Sequence, residues 1–212
     1  RLVGSEMCIR DSNYTPGPLL DASRTTPTAL WNDSADLDEL RQSIAFGGVG
    51  ATCNPVIGYT TIKKHPDIWE DRIRAIAKNN PTWGESQIGW QAIKDMSVEA
   101  AKLLEPIFVE HKGRNGRLSI QTDPRLHRDA KALADQAEEF SNLAPNIIVK
   151  IPCTSVGIEA IEEATYRGVS VNVTVSFTVP QAVKSAEAIE RGLQRRVAEG
   201  LSLIHISEPT RR

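Results

Sequence analysis

Apolar positions in the second half of the chain switch between the spacing typical of strands and the spacing typical of helices. Regularly spaced apolar residues from Val179 to Leu193 predict the clearest helix. Asp123 followed by Pro124 predicts a helix start, because aspartate caps helices and proline fits the first turn. Short apolar runs predict three strands, at residues 117–123, 146–152 and 169–177.

The first half repeats this alternation less clearly. Runs at 28–33 and 48–55 predict strands, and Leu37, Leu40 and Ile44 predict a helix between them. Two further helical stretches follow, one that contains Ile68, Ile73 and Ile76 and ends at 79–81, and one at 85–111.

Together these segments form five strand–helix units, which implies right-handed crossovers and a parallel sheet. An eight-unit barrel needs about 250 residues. We therefore expect the α/β class and an incomplete (β/α)8 TIM barrel, with about five of its eight units present. A complete, open, doubly wound sheet is the alternative.

Composition narrows the class of protein. The chain has 212 residues, 40% of them hydrophobic and 25% charged, with a net charge of −2, which is typical of a globular domain. It has no basic run that would favour nucleic acid and no apolar run long enough to span a membrane. The three cysteines are far apart, so we expect free thiols and a cytoplasmic protein. The four histidines show no ligand spacing, and we expect no metal.

The two ends do not continue the patterns beside them. "RLVGSEMCIRDS" and "LSLIHISEPTRR" resemble strings that arise when sequencing-adapter DNA is translated. We therefore expect residues 1–12 and 201–212 to be non-native, and residues 13–200 to form a partial barrel domain. Two irregular native tails are the alternative.

Several predicted strands end in polar residues. Asp33, Asn54 and Gln121 lie at or near three such ends, where barrel enzymes place their active sites. In the run 169–177 the valines share one face, which we expect to lie under the helices. A solvated edge strand is the alternative for this run. The opposite, polar face of the run carries Ser170, Asn172, Thr174 and Ser176.

Lys150 is the one charged residue in the apolar run 146–152. Pro152 cannot donate to a central ladder, so the strand should end near Ile151, with Lys150 at the active end. Burial disfavours the charged form of lysine, and a neutral amine is a nucleophile that forms Schiff bases with ketones or aldehydes. A lysine that extends from the strand end to solvent is the alternative, which residue chemistry alone leaves open.

Five blocks in this order carry a resemblance to a known family: "NDSAD", "ATCNP", "LSIQTDPR", "IIVKIPCTSVGIEA" and "GVSVNVTVSF". The chain resembles the transaldolase family from about Ala29 to Leu193. The resemblance implies an eight-stranded barrel whose Schiff-base lysine lies on the fourth strand, where Lys150 matches it.

The resemblance also implies roles for other residues. Asp33 matches the acid/base aspartate, and Thr174 is expected to help position the water lost on Schiff-base formation. Gln121 matches a position where transaldolases carry a glutamate that works through a catalytic water. An amide orients a water but does not accept its proton, and some transaldolase-like aldolases carry glutamine there. The expected substrate-binding residues are Asn54, Asn172, Thr154 and Ser176.

The implied reaction transfers a dihydroxyacetone unit from a ketose phosphate to an aldose phosphate, as in the pentose phosphate pathway. Sugar phosphates are the expected partners, no metal or organic cofactor is needed, and a homodimer of the full-length protein stays open. Gln121 keeps a fructose-6-phosphate aldolase as an alternative, and an inactive sugar-phosphate-binding fragment is another. The serine and phosphate-binding arginine of the family's later strands have no match in residues 13–200.

Overall fold

The computed structural model of the protein describes residues 17–203. The expectation of non-native ends therefore lies outside the described residues, except for 201–203. The strands are β1 (Leu30–Asn32), β2 (Gly48–Cys53), β3 (Arg117–Gln121), β4 (Ile147–Pro152) and β5 (Val171–Thr174). The helices are α1 (Pro18–Thr25), α2 (Leu37–Ala45), α3 (Pro55–Lys64), α4 (Pro66–Asn79), α5 (Glu85–Glu110), α6 (Ala130–Ser141), α7 (Ser155–Tyr166) and α8 (Val179–Ala198).

The chain divides into two compact units, the first ending at Leu118 and the second beginning at Ser119. In the first unit β1 and β2 are parallel, with Trp31 opposite Gly50. The start of β3 lies beside β2, because the Gly116 N–H donates to the Val49 carbonyl at 2.7 Å. Helices α2 and α5 both pack against β2. Buried side chains of the unit include Leu40, Ala51, Met96, Ala100 and Leu104.

The second unit contains the end of β3 and the parallel pair β4 and β5. Helices α6, α7 and α8 pack side by side in chain order. Gly168, with φ of +94°, ends α7 in a conformation that favours glycine. The core side chains share full burial and an apolar character; they include Ile120, Leu133, Phe140, Val149, Ile151 and Ile161.

The order of the strands distinguishes the two fold classes that the sequence left open. A doubly wound sheet reverses its strand order at a switch point. Within each unit of this protein, neighbouring strands follow the order of the chain and the resolved pairs are parallel. The fold is therefore α/β, with five of the eight βα units of a (β/α)8 barrel, and the sequence-based prediction is confirmed.

The predicted helix start after β3 is confirmed only for one 3₁₀ turn, and the α-helix begins later. Asp123 accepts a hydrogen bond from the Arg125 N–H at 2.9 Å, and Pro124–Leu126 form only one 3₁₀ turn. Helix α6 begins at Ala130, where the Asp129 carboxylate accepts from the Ala132 N–H at 2.9 Å. The side chain of Asp123 is bound by the Arg125 guanidinium, so it holds a tight turn rather than a helix.

Two helical glycines have different surroundings, and we expect their replacement by alanine to change the stability of the protein in opposite directions. A Cβ at Gly192 in α8 would lie 2.6 Å from the Glu162 carbonyl oxygen of α7, whereas a Cβ at Gly89 in α5 would meet nothing within 4 Å. We expect Gly192→Ala to lower the free energy of unfolding by about 1–3 kcal/mol, because the helices must move apart. The control, Gly89→Ala, should raise it by about 0.5–1 kcal/mol. Urea unfolding of the full-length gene product measures both, and equal effects would contradict the close packing of α7 and α8.

Candidate active site

Three polar residues of the second unit lie side by side on adjoining strands. Lys150 of β4 is the register partner of Asn172 of β5. The Thr122 N–H donates to the Lys150 carbonyl at 3.2 Å, which in a parallel ladder sets Gln121 opposite Lys150. Residues in register on parallel strands face the same side, and all three are half-buried. The order across this face is Gln121, Lys150, Asn172.

The Asn172 side chain has a fixed orientation. Its Nδ2 donates to Ser119 Oγ at 2.9 Å, and Ser119 on β3 is fully buried. The bond leaves the amide oxygen of Asn172 as an acceptor on the same face. This contact was not predicted from the sequence, because 53 residues separate the two bonded side chains.

Lys150 differs from most cationic side chains of the second unit in its charged partners. Within the described part of the second unit, no ion pair includes its ammonium group, whereas most lysines and arginines of α6–α8 pair with carboxylates. The arrangement suits a nucleophile better than a structural ion pair.

Thr174 lies one step beyond Asn172 on the same face, in register with Pro152. The strand ends there, so the prediction that it continues to 177 is wrong. Val175 has a φ of +57°, which breaks the alternation of side chains. Ser176 therefore does not continue the polar face by strand parity; it lies in an exposed loop, and its role in the site stays a prediction.

Two of the predicted substrate-binding residues also cap helices. Asn54 accepts from the Ile57 N–H at 2.9 Å at the start of α3. Thr154 accepts from the Gly157 N–H at 3.0 Å at the start of α7. Both caps use an oxygen lone pair, so the Asn54 amide protons and the Thr154 hydroxyl proton remain to donate elsewhere.

Asp33 lies in the first unit, directly after β1. Its Oδ1 accepts from the Thr52 hydroxyl of β2 at 2.5 Å. The turn that follows is held by the Asn32 amide, which donates to the Ser34 carbonyl at 2.9 Å. Thr52 was not predicted as a site residue, although it shares the parity of Asn54 on its strand.

Asp36 closes the same turn and is 2% exposed. It accepts from the backbone N–H of Glu39 at 3.0 Å, from His65 Nε2 at 2.7 Å and from Lys64 Nζ at 3.2 Å. Burial by itself would raise the pKa of Asp36, but the hydrogen bonds from Glu39, His65 and Lys64 outweigh it, and the pKa lies below its ordinary value.

The ligand atoms of Asp36, Asp38 and His65 lie within 4.8 Å of one another, as a metal site would require. The Lys64 ammonium already occupies one side of the Asp36 carboxylate, and a cation there would be repelled. The cluster is better described as a capped and paired carboxylate. Burial also raises the pKa of the Cys53 thiol to about 11, so this cysteine stays protonated beside Asn54.

Comparison with known proteins gives one consistent result. The family described as Transaldolase/Fructose-6-phosphate aldolase matches residues 30–204. Transaldolase of Thiobacillus denitrificans is 34% identical over 183 residues, which cover 82% of this chain and 50% of that protein. Transaldolase 1 of Streptomyces avermitilis is 34% identical over 160 residues, 74% of this chain and 42% of the relative. Transaldolase of Neisseria gonorrhoeae is 30% identical over 173 residues, which cover 79% of this chain and 48% of that protein.

The chain spans about half the length of the curated relatives that it matches. No helix within residues 17–203 is long and apolar enough to cross a membrane.

The buried carboxylate of Asp36 predicts a pH-dependent contribution to stability. Asp36→Asn keeps an oxygen for the cap but removes the charge that binds Lys64 and His65. We expect the free energy of unfolding at pH 7 to fall by about 1–3 kcal/mol. Because the folded-state pKa is depressed, the wild-type advantage is present above the ordinary pKa and is lost as the pH falls through the lowered value. Urea unfolding from pH 7 to pH 3 should show the gap narrow below about pH 4.

Asp38→Asn is the matched control on the same helix. The side chain of Asp38 is 73% exposed, and among residues 17–203 its one ion pair is with Arg41, which is 51% exposed. We expect a change within about 0.5 kcal/mol at every pH. A gap for Asp36→Asn that stays constant down to pH 3 would contradict the lowered pKa.

Proposed function

The chain belongs to the transaldolase/fructose-6-phosphate aldolase family, and from this premise we propose that the full-length protein transfers a dihydroxyacetone unit from a ketose phosphate to an aldose phosphate. The unit is carried as a Schiff base on Lys150. The observation that carries the proposal is the position of Lys150 between two amides, Gln121 and Asn172, with no ion pair to its side chain in the described part of the second unit. The relatives' names support a transferase, and a place in the pentose phosphate pathway is part of the same proposal.

The first half of the reaction forms the covalent intermediate. Neutral Lys150 attacks the C2 carbonyl of the ketose phosphate, and the resulting carbinolamine loses water to give an iminium. Gln121 and Thr174 orient the departing water on this face of the strands. The Asn172 amide, held by Ser119, donates to or accepts from a hydroxyl of the bound sugar.

The second half breaks and remakes a carbon–carbon bond. Asp33 takes the proton of the C4 hydroxyl as the C3–C4 bond breaks, and the electron pair moves into the iminium to leave an enamine. The enamine then attacks the aldehyde of the acceptor. The role of Asp33 and the substrate contacts of Asn54, Thr154 and Ser176 rest on the family resemblance.

Gln121 favours a second candidate reaction. Its amide cannot take a proton from the water that it orients. An enzyme that cleaves fructose 6-phosphate by aldol cleavage protonates the enamine and releases dihydroxyacetone, so it needs no acceptor sugar. The family description includes both activities.

The Schiff base predicts a covalent adduct on one lysine. With fructose 6-phosphate and borohydride, we expect peptide mass spectrometry of the full-length gene product to find the reduced three-carbon or six-carbon adduct on Lys150. Lys150→Ala should lose the adduct and lower turnover by on the order of 10³-fold or more. Lys131→Ala is the control, because the Lys131 side chain is 79% exposed and pairs with Asp135. This variant should keep the adduct on Lys150 and the turnover of the wild type. Full turnover in Lys150→Ala, or an adduct elsewhere, would contradict the mechanism.

The transfer reaction predicts dependence on an acceptor. We expect release of glyceraldehyde 3-phosphate from fructose 6-phosphate to continue past one turnover only when erythrose 4-phosphate is present, because the enamine needs an aldehyde to attack. A coupled assay with and without the acceptor measures this. Equal steady-state rates would favour the aldolase and reject the transferase, while leaving the Lys150 adduct intact.

A further inference from the structure

The segment between β5 and α8 has a backbone that its sequence does not favour. Val175, directly after Thr174, has a φ of +57°. A β-branched residue in the left-handed region is a true outlier, because its Cβ substituents crowd the backbone. Such a conformation persists only where neighbouring groups hold it, and it is most frequent at functional sites.

The side-chain oxygen of Gln181 holds one side of this segment. It accepts from the backbone N–H of Phe177 at 3.0 Å and of Thr178 at 3.1 Å. Thr178 caps α8, and its hydroxyl accepts from the Gln181 N–H at 3.4 Å. These bonds form a capping box, a motif in which glutamate serves as well as glutamine.

The side-chain nitrogen of Gln181 makes two bonds that a capping box does not need. Nε2 donates to the Val175 carbonyl at 3.0 Å and to the Cys153 carbonyl at 3.2 Å. Cys153 directly follows β4, and Val175 directly follows β5. A single amide therefore joins the ends of the two strands that carry Lys150 and Thr174.

A second contact keeps the start of α8 against the same strand end. The Ser185 hydroxyl, one helical turn beyond Gln181, donates to Cys153 Sγ at 3.0 Å. The Cys153 N–H in turn donates to the Thr174 carbonyl at 2.7 Å. The bonds of Gln181 thus extend the β4–β5 ladder by one more cross-link, beyond the point where backbone pairing stops.

We propose that Gln181 is a positioning residue of the active site, which holds Val175 in its left-handed conformation and so fixes Thr174 relative to Lys150. This inference rests on the proposed function, because the groups that it positions are those assigned to Schiff-base formation. It requires an amide at 181, since only an amide accepts from the two N–H groups and donates to the two carbonyls.

Gln181→Glu tests the amide directly. A glutamate keeps the capping bonds to Phe177 and Thr178 but presents an oxygen to the carbonyls of Cys153 and Val175. In the full-length gene product, we expect borohydride trapping of the iminium on Lys150 to slow by about tenfold, as expected when bonds to two carbonyls are lost. The fall should appear in kcat rather than in KM for the acceptor. Gln194→Glu, an exposed glutamine of the same helix, is the charge-matched control and should trap at the wild-type rate.

A second substitution separates positioning from stability. Glycine adopts positive φ without strain, so Val175→Gly added to Gln181→Glu should restore part of the trapping rate. A merely structural role would lower the melting temperature of Gln181→Glu without slowing trapping per folded molecule, and that result would overturn the proposal. If Gln181→Glu does not fold, Gln181→Met, which is neutral and of similar length, takes its place with the same expected slowing.

The outcomes for the two proposals differ. An adduct on Lys150 in the wild type with an unchanged trapping rate in the Gln181 variant overturns the positioning role alone. Absence of the adduct in the wild type overturns the proposed function, and with it the role of Gln181 in that reaction. Slow trapping in the Gln181 variant, with recovery through Val175→Gly, supports both.

Discussion

The parallel ladder between β4 and β5 is the constraint on which the candidate site depends. The Val149 N–H donates to the Ser170 carbonyl at 2.9 Å, and this bond sets Lys150 opposite Asn172. A slip of one residue would turn the lysine to the opposite face, under the helices, where a charge is costly. The backbone hydrogen bonds between β4 and β5 therefore determine on which face of the sheet Lys150 lies.

Predictions from the sequence were correct where one local rule, such as a proline at a strand end or the alternation of side chains along a strand, acted alone. Pro152 ends β4 because it lacks an N–H, so the position of Lys150 at the strand end was predicted correctly. Strand parity also placed Asn172 and Thr174 on one face. Both predictions depend only on residues that are adjacent in the sequence, and contacts formed on folding do not change them.

The errors arose where two local rules competed. Asp123 and Pro124 have the residue types of a helix start, yet the carboxylate of Asp123 is held by the Arg125 side chain and closes a 3₁₀ turn. Val175 and Ser176 continue the alternation of β5, but the backbone turns at Val175. Bonds from Gln181 decide that turn, and side chains that meet only after folding leave no trace in a strand pattern.

The contacts of Ser119 and Thr52 were missed because their bonding partners are distant in the sequence. Ser119 bonds a residue 53 positions away, and Thr52 one 19 positions away. Gln181 differs, because Thr178 and Gln181 have the spacing of a capping box, and this local signal was available in the sequence. What no local pattern reveals is that the same amide also bonds Cys153, 28 positions earlier.

Asn54 and Thr154 combine an observed helix cap with a substrate contact that is part of the proposed function. In each residue one oxygen caps a helix, so under the proposed function a substitution that alters sugar recognition would also weaken the fold. Phe177 has no such tie: its side chain is 84% exposed, and only its backbone is held. Under the proposed function, natural drift and laboratory selection for new sugars should therefore concentrate on the loop after β5 and leave the two capping positions unchanged.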